Sequence, residues 1–498
     1  MTREEALIKL SEYEKQTNAI GHAMGIMYYD AATVAPKGSA QGRAETLGQL
    51  AGMMYELETS PEHEETIEVL FKEKDQLSFI ERRKIEEMHE GFEKMKKIPK
   101  ELYTSYQMLT SEADAVWHEA KEKDDFNMFE PLLQKIFDMT KEIYTYTDPD
   151  KDPYDAALNS YEKGLTKERC DEFFTALRAK IVPLIKKIQE KEQIDDSVLH
   201  LNYPKIQQMK FSEYLIDIMD INRDNFVIGE TEHPFTTDFT KRDVRITTNY
   251  HEDALASSLY SVVHECGHAL YELNTGDELI GTGLGTGVSM AIHESQSRFY
   301  ENIIGRSEAF TNLIYPFLKN EFSEQFANVD KKSFYKMINK AEPSLIRTEA
   351  DELTYSLHVM VRYELEKAMF KGEVKAKDLP EMWKKLYKEY LGVDVPNDRE
   401  GVLQDSHWSN GNIGYFPSYA LGSAYGPQML IEMEKELNLN DEIASGKLTK
   451  VNDWLREKIW KHGCLYTPTE LFEMVCGKFD PTYYTDYLEK KFSEIYGL

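Results

Sequence analysis

His264 and His268 stand four residues apart with Glu265 beside the first, in the run Ser261-Val-Val-His-Glu-Cys-Gly-His-Ala-Leu-Tyr271. Four residues are slightly more than one helical turn, so on a helix both imidazoles share a face and can hold one metal ion. Glu265 then lies next to that ion, where a carboxylate can take the proton of an attacking water. Ala254, Leu255, Leu259, Val262, Val263, Ala269 and Leu270 flank the motif at spacings that predict a helix packed on several sides. Two imidazoles and a carboxylate buried together are costly without a metal or a partner, which weighs against the alternative of hydrogen-bonded core histidines.

A third ligand must come from elsewhere. The extended metzincin pattern would put glycine at 271 and histidine at 274; the chain has Tyr271 and Asn274, so that class is excluded. A carboxylate on a following helix is the remaining source. Residues 289–301 read as that helix, with Ser289 as its cap, and Glu294 is the predicted ligand. His293 points about 100° away round the same helix. Glu272, four residues beyond His268, is read as a group that supports a ligand, and Glu278 is less well placed. Two histidines and a glutamate leave a position open for water, the arrangement of a catalytic zinc site. One Zn2+ per chain is expected, with other divalent ions such as Co2+ able to replace it. Gly281, Gly283, Gly285 and Gly287 lie between the two helices. No strand precedes them and no lysine follows, unlike a P-loop. They are either a flexible connection or backbone that must approach a ligand or another chain closely.

Six ordered motifs resemble one family. His233-Pro-Phe235, Asp243-Val-Arg245-Ile-Thr247, His264 to His268, His293-Glu294-Ser295, Ile346-Arg347-Thr-Glu-Ala350-Asp351 and Gly401-Val-Leu-Gln404-Asp405-Ser-His407-Trp408 occur in the order of the carboxypeptidase Taq family of zinc-dependent metallocarboxypeptidases. They span the central and C-terminal two-thirds; the N-terminal third has no matching motif, although its helical character fits. The resemblance implies a mainly α, two-lobed helical zinc peptidase with a deep central groove and a small β-sheet near the active site. It implies release of single amino acids from peptide C-termini, broad side-chain preference and a homodimer. An endopeptidase or dipeptidase on the same scaffold is the alternative. A non-catalytic helical protein tied together by zinc is a third reading, against which the intact Glu265 argues.

A carboxypeptidase must recognise a free terminal carboxylate, which the planar fork of arginine does best. The resemblance favours Arg347, with Asp351 four residues on expected to orient it from the same helix face. Arg245 is second, although Asp243 beside it suggests a structural role, and His233 is a further candidate substrate contact. An oxyanion donor is expected in the segment from His407 to Tyr419, whose density of histidine, tyrosine and glycine resembles the donor segment of related helical zinc peptidases. Tyr419 is the first choice, with Tyr415 and His407 behind it; a purely structural hydrogen bond is the competing role for each.

The elements that must position these groups are mostly helical. Thr2 with Glu5 and Ser78 with Glu81 form capping boxes, the second opening a charged helix to about Lys97, and Ser60-Pro61 starts another helix. Further helices are expected near 100–122, 127–146, 167–192 and 205–220. Phe226-Val-Ile-Gly229 and Val244 to Asn249 have the character of short strands, either a sheet edge for an extended peptide or a hairpin bracing the metal helix. The loop Asp148 to Pro153 marks the expected hinge of a single catalytic unit, between an N-terminal helical lobe, residues 1–150, and a catalytic part, residues 151–498.

The 498 residues are 41% hydrophobic, enough for a sizeable core, and carry a net charge of −29, which would repel nucleic acid and anionic membranes. Cys170, Cys266, Cys464 and Cys476 form no C-x-x-C pair, and Cys266 faces away from the metal side of its helix. With no apolar leader and no run of transmembrane length, a cytoplasmic enzyme with reduced thiols is expected, acting on peptides.

Overall fold

Local capping chemistry starts the helices where the residue pattern places them. Thr2 and Ser78 accept from Glu5 and Glu81 backbone N–H groups while those glutamates reach back, opening Arg3–Thr33 and Phe79–Lys97. Ser60 caps Pro61–Lys72. The computed structural model describes all 498 residues and contains twenty α-helices and one three-stranded sheet. The four further helices expected before the sheet are Lys100–Lys123, Glu130–Thr147, Lys167–Gln189 and Lys205–Ile218. The second starts late because Phe126–Met128 forms its own 3-10 turn, after which Pro131 occupies the helix's first turn. No helix is long and apolar enough to cross a membrane.

One main hydrophobic core draws residues from both sides of the loop at 148–152, for example Ile136 and Phe137 with Phe173 and Leu177. The first helices pack instead around a separate cluster of Ala6, Leu10, Leu70 and Ile85.

The sheet differs from a simple hairpin. Both expected strands form, β1 (Phe226–Glu230) and β3 (Asp243–Thr248), but they are parallel neighbours, with Phe226 opposite Val244. The antiparallel partner of β3 is β2 (Thr236–Thr240), on its other side. Thr-Thr-Asp-Phe-Thr lacks the apolar alternation of a half-buried strand because β2 is an edge. Val244 and Ile246 of β3 are buried, and Thr248 bonds to Ser261 at 2.6 Å, tying the sheet to the helix that carries the two histidines.

That histidine helix, Leu255–Leu273, is nearly all buried, as its flanks predict. It meets the glutamate helix, Met290–Arg298, at Gly267, where a Cβ would stand 2.6 Å from Ser297 Cα and 2.9 Å from Gln296 O. The glutamate helix is covered on another side by Phe416–Met433, at Gly422, where a Cβ would stand 2.5 Å from Glu294 Cγ. Two glycines thus let three helix backbones converge on the metal motif.

Gly267→Ala should force the histidine and glutamate helices apart. The expected loss is about 1–3 kcal/mol, seen as a lower urea midpoint at unchanged slope. An unchanged midpoint would mean that this contact is not tight.

Candidate metal centre and active site

His264 and His268 present Nε2 atoms 3.9 and 3.5 Å from Glu294 Oε2. One donor atom from each of the three residues lies within 4.8 Å of the others. Ser289 caps the glutamate helix by accepting from the Ile292 N–H, as expected, and the helix turns into a π-helix at Phe299–Ile304.

The opposite atom of each potential ligand is already held. His264 Nδ1 is 2.8 Å from Glu301 Oε2. His268 Nδ1 is 2.6 Å from His293 Nδ1, and His293 Nε2 is 2.6 Å from Glu272 Oε1. Proton placement follows: Nδ1–H of His264 donates to Glu301, and Nδ1–H of His268 donates to a His293 that donates onward to Glu272. Both Nε2 lone pairs then face Glu294 Oε2, the tautomers that metal binding requires. Arg298 Nε donates to Glu294 Oε1 at 2.8 Å and Arg298 Nη1 to Glu301 Oε2 at 3.0 Å. Burial opposes the charge on Glu294, but Arg298 and the two imidazoles outweigh it and hold its carboxyl well below the ordinary range. Glu301 is likewise buried, yet brought down to about 2 by Arg298 and His264. Burial pushes His268 down to about 4, keeping it neutral at pH 7, whereas at His264 burial is outweighed by the carboxylates of Glu301 and Glu294, which raise the imidazole. Two imidazoles, which would be neutral with a metal bound, and one ionised carboxylate fit a divalent transition metal.

Glu265 is 8% exposed, and its Oε2 accepts from Thr236 Oγ1 of β2 at 2.6 Å. Burial raises its pKa, with the adjacent His264 pulling the other way. At Gly287 the backbone closely approaches the chain's own His293, a contact that neither glycine-loop reading described. A Cβ there would stand 2.5 Å from His293 Cδ2, and the Gly287 N–H donates to Glu272 Oε1 at 3.2 Å. The loop therefore packs on the Glu272–His293 pair that orients His268.

Arg347 is 5% exposed and donates from Nε and Nη2 to Asp405 Oδ1 at 3.1 and 2.8 Å. Its Nη1 donates to Tyr355 OH at 3.1 Å. The other Asp405 oxygen accepts from Arg362, at 2.9 and 2.7 Å. Asp351 does not orient Arg347, contrary to the expectation from spacing. Arg347–Glu349 is an isolated 3-10 turn, and the next helix starts only at Tyr355, so the two residues share no helix face. Asp351 accepts instead from the backbone N–H groups of Glu342, Leu353 and Thr354.

Tyr419 stacks on Arg347, whose Cζ is 4.8 Å from the ring centre, and its hydroxyl is 3.2 Å from His407 Nε2. Tyr415 packs edge-on against Tyr419 at 5.0 Å. Burial raises both phenols, and the negative charge of Glu294 adds to the effect. Burial pushes His407 down to about 4. The metal motif, the three candidate donors and Arg347 are thus brought together. Arg245 is engaged elsewhere: it pairs with Asp243 through two 2.8 Å contacts and lies over the rings of Tyr29 and Phe239, joining the first helix to the sheet. His233 is exposed in the segment between β1 and β2.

Residue spacing could have found Arg298 and Glu301, which follow Glu294 by four and seven positions on one helix face. Thr236, Tyr355 and the Asp405–Arg362 pair depend on tertiary contacts. Glu68, His89 and Glu93 form another close group, but its carboxylates already face Lys72 and Lys96 at 3.5 and 3.8 Å.

The family model described as carboxypeptidase Taq (M32) metallopeptidase matches residues 9–492. Carboxypeptidase 1 of Bacillus subtilis is 39% identical over 485 residues, 97% of each chain. Thermostable carboxypeptidase 1 of Pyrococcus furiosus is 36% identical over 484 residues, 95% of this chain and 96% of that one. The crystal structure of an M32 carboxypeptidase from Deinococcus radiodurans superposes with a TM-score of 0.96 at 33% identity, covering 99% of this chain and all of that one.

Glu301→Gln removes the acceptor charge behind His264 without changing size. Metal affinity should fall by about 10–100-fold in chelator competition. Unchanged affinity would show that His264 does not depend on Glu301.

Proposed function

The chain belongs to the carboxypeptidase Taq (M32) metallopeptidase family and is a metallocarboxypeptidase, and we propose that it uses zinc held by His264, His268 and Glu294 to release single residues from peptide C-termini. The convergence of those three donors beside Glu265, with the buried Arg347–Tyr419 stack in the same site, carries this reading. When bound, zinc supplies Lewis-acid chemistry, polarising the scissile carbonyl and acidifying water.

The chain's own residues do the rest. Glu265 is the base: burial makes its carboxylate a better proton acceptor, and Thr236 fixes its orientation. It takes the proton of the attacking water and passes it to the leaving amine. Tyr419 is the favoured donor to the developing oxyanion, with Tyr415 beside it. Neutral His407 can place its single proton on Nε2 and donate to the Tyr419 oxygen, which leaves the phenol proton free for the substrate.

Arg347 is the proposed carboxylate receptor. Its contacts with Asp405 and Tyr355 leave one N–H on each of Nη1 and Nη2, the pair that a carboxylate accepts side by side. Two guanidiniums share the single Asp405 carboxylate, so the cluster holds surplus positive charge that a peptide C-terminus neutralises. Arg245 and His233 are left as secondary substrate contacts.

In the same reading the chain is one catalytic unit, residues 1–150 forming an N-terminal lobe and 151–498 the part that holds the site. The separate core around Leu10 and Leu70 sets apart the first helices of that lobe, while Ile136 and Phe137 join the main core. Four free cysteines, three of them buried, suit a reducing cytoplasm. Broad side-chain preference and a homodimer rest on family resemblance.

Glu265→Gln should keep normal zinc content and lose about 10²-fold or more in rate; activity within a few-fold of wild type would assign the base elsewhere. Arg347→Ala should cost about 2–5 kcal/mol in kcat/KM for free-acid peptides. Amidating the substrate C-terminus should cost the wild type a similar amount and the variant little more, because both changes remove one contact. A wild-type enzyme that cleaves amidated and free peptides equally well would exclude terminal-carboxylate recognition and favour an endopeptidase.

A further inference from the structure

Between Tyr390 and Phe416 the chain has no helix or strand, yet this segment carries Asp405, His407 and Tyr415. Turn bonds such as Asn412 N–H to His407 O at 2.8 Å shape it locally, and side chains fix it against the rest of the fold. One side chain grips it twice. Glu366, in the middle of the helix Tyr355–Lys371, is 0% exposed. Its Oε1 accepts from Trp408 Nε1 at 2.7 Å, and its Oε2 accepts from the Gly414 N–H at 3.0 Å and from Tyr154 OH at 2.8 Å.

We propose that Glu366 is a positioning residue for the reaction, which sets the placement of His407, Tyr415 and Tyr419 by holding Trp408 and Gly414 on either side of the loop between them. The inference rests on the reading of those three residues as the oxyanion-donor group.

An indole N–H and a backbone N–H can only donate, so each needs an acceptor oxygen. The carboxylate supplies both. An amide cannot: whichever way Gln is turned, its NH2 faces one of the two donors. Trp408 follows His407 directly, and its ring is wedged among Phe137, Trp383 and Phe416 at 6.0 to 6.2 Å, so a shift of the indole moves the histidine. Gly414 precedes Tyr415 directly. It has φ +91, and a Cβ there would stand 2.8 Å from the Ala157 backbone, so the second grip point has little freedom to relax. Tyr154, the third donor, lies on the same helix as Ala157, Pro153–Tyr161.

The location is costly for a purely structural anchor. Burial pushes the Glu366 carboxyl up to about 7 despite three donors pulling it down. Apolar side chains of similar size would fill the space without that penalty but would leave two N–H donors unpaired. Glu366 itself does not touch His407, Tyr415 or Tyr419 by any hydrogen bond, so its effect on them is through the loop.

The test uses the zinc-loaded full chain and a free-acid peptide, well below the unfolding temperature. Glu366→Gln should lower kcat by about 10–100-fold, with zinc content and KM close to wild type, because Arg347 and the metal ligands are untouched. Trp408→Phe should lower kcat similarly, and the double variant should be no worse than the more affected single one. If Glu366→Gln folds poorly, Trp408→Phe and Tyr154→Phe carry the same comparison from the donor side. Tyr419→Phe, Tyr415→Phe and His407→Gln are measured alongside. Loss of rate in any of these with wild-type kcat in Glu366→Gln or, if it does not fold, in Trp408→Phe would overturn the positioning role alone. Wild-type kcat in all three would overturn the donor reading, and the positioning role with it. Additive losses in the double variant, or a change confined to thermal stability, would also overturn it.

Discussion

Glu294 is a carboxylate 7% exposed, packed between three helices, and ionised all the same. A buried charge persists only when other groups compensate it. Arg298 lies one helical turn on and takes one oxygen; two imidazoles face the other. Arg298 is the permanent cation there; the imidazoles can add positive charge only while protonated, and a metal needs them as neutral donors of lone pairs. A divalent ion completes the compensation. The glycines at 267 and 422 follow from this requirement, since neither helix could approach the helix of Glu294 so closely with a side chain there.

The same physics recurs on the substrate side with the sign reversed. Asp405 lies between Arg347 and Arg362, two cations for one anion. Tyr355 joins the two sites: Arg347 donates to its hydroxyl, and Arg298 stacks on its ring at 4.3 Å. One arginine steadies Glu294, the other is the proposed receptor for a peptide end, and a single tyrosine spaces them. In the proposed reading such a linkage would fix the distance between terminal carboxylate and scissile bond, as removal of single residues demands.

Much of this was legible in residue order, and its limits are instructive. The i, i+4 histidines, Glu265, the capped helix of Glu294 and the supporting Glu272 all follow from helical periodicity, which is local. The Asp351 expectation failed because it assumed a helix through Arg347, whereas Asp351 itself caps the turn that precedes the helix. The partner that Arg347 does have, Asp405, is 58 residues away, beyond the reach of periodicity. β2 was missed because an edge strand needs no apolar alternation, and with it went Thr236, which orients Glu265. Expected helix ends were displaced by a few residues where a 3-10 turn or a proline intervened, without effect on the site.

The central claim is a metal held by two imidazoles and one carboxylate, with a position left for water. X-ray absorption at the zinc edge of the purified enzyme tests it most directly. The expected spectrum has two imidazole shells, with nitrogen at about 2.0–2.1 Å, and only light oxygen scatterers besides. A sulfur shell at about 2.3 Å, or a third imidazole such as that of His293, would contradict it.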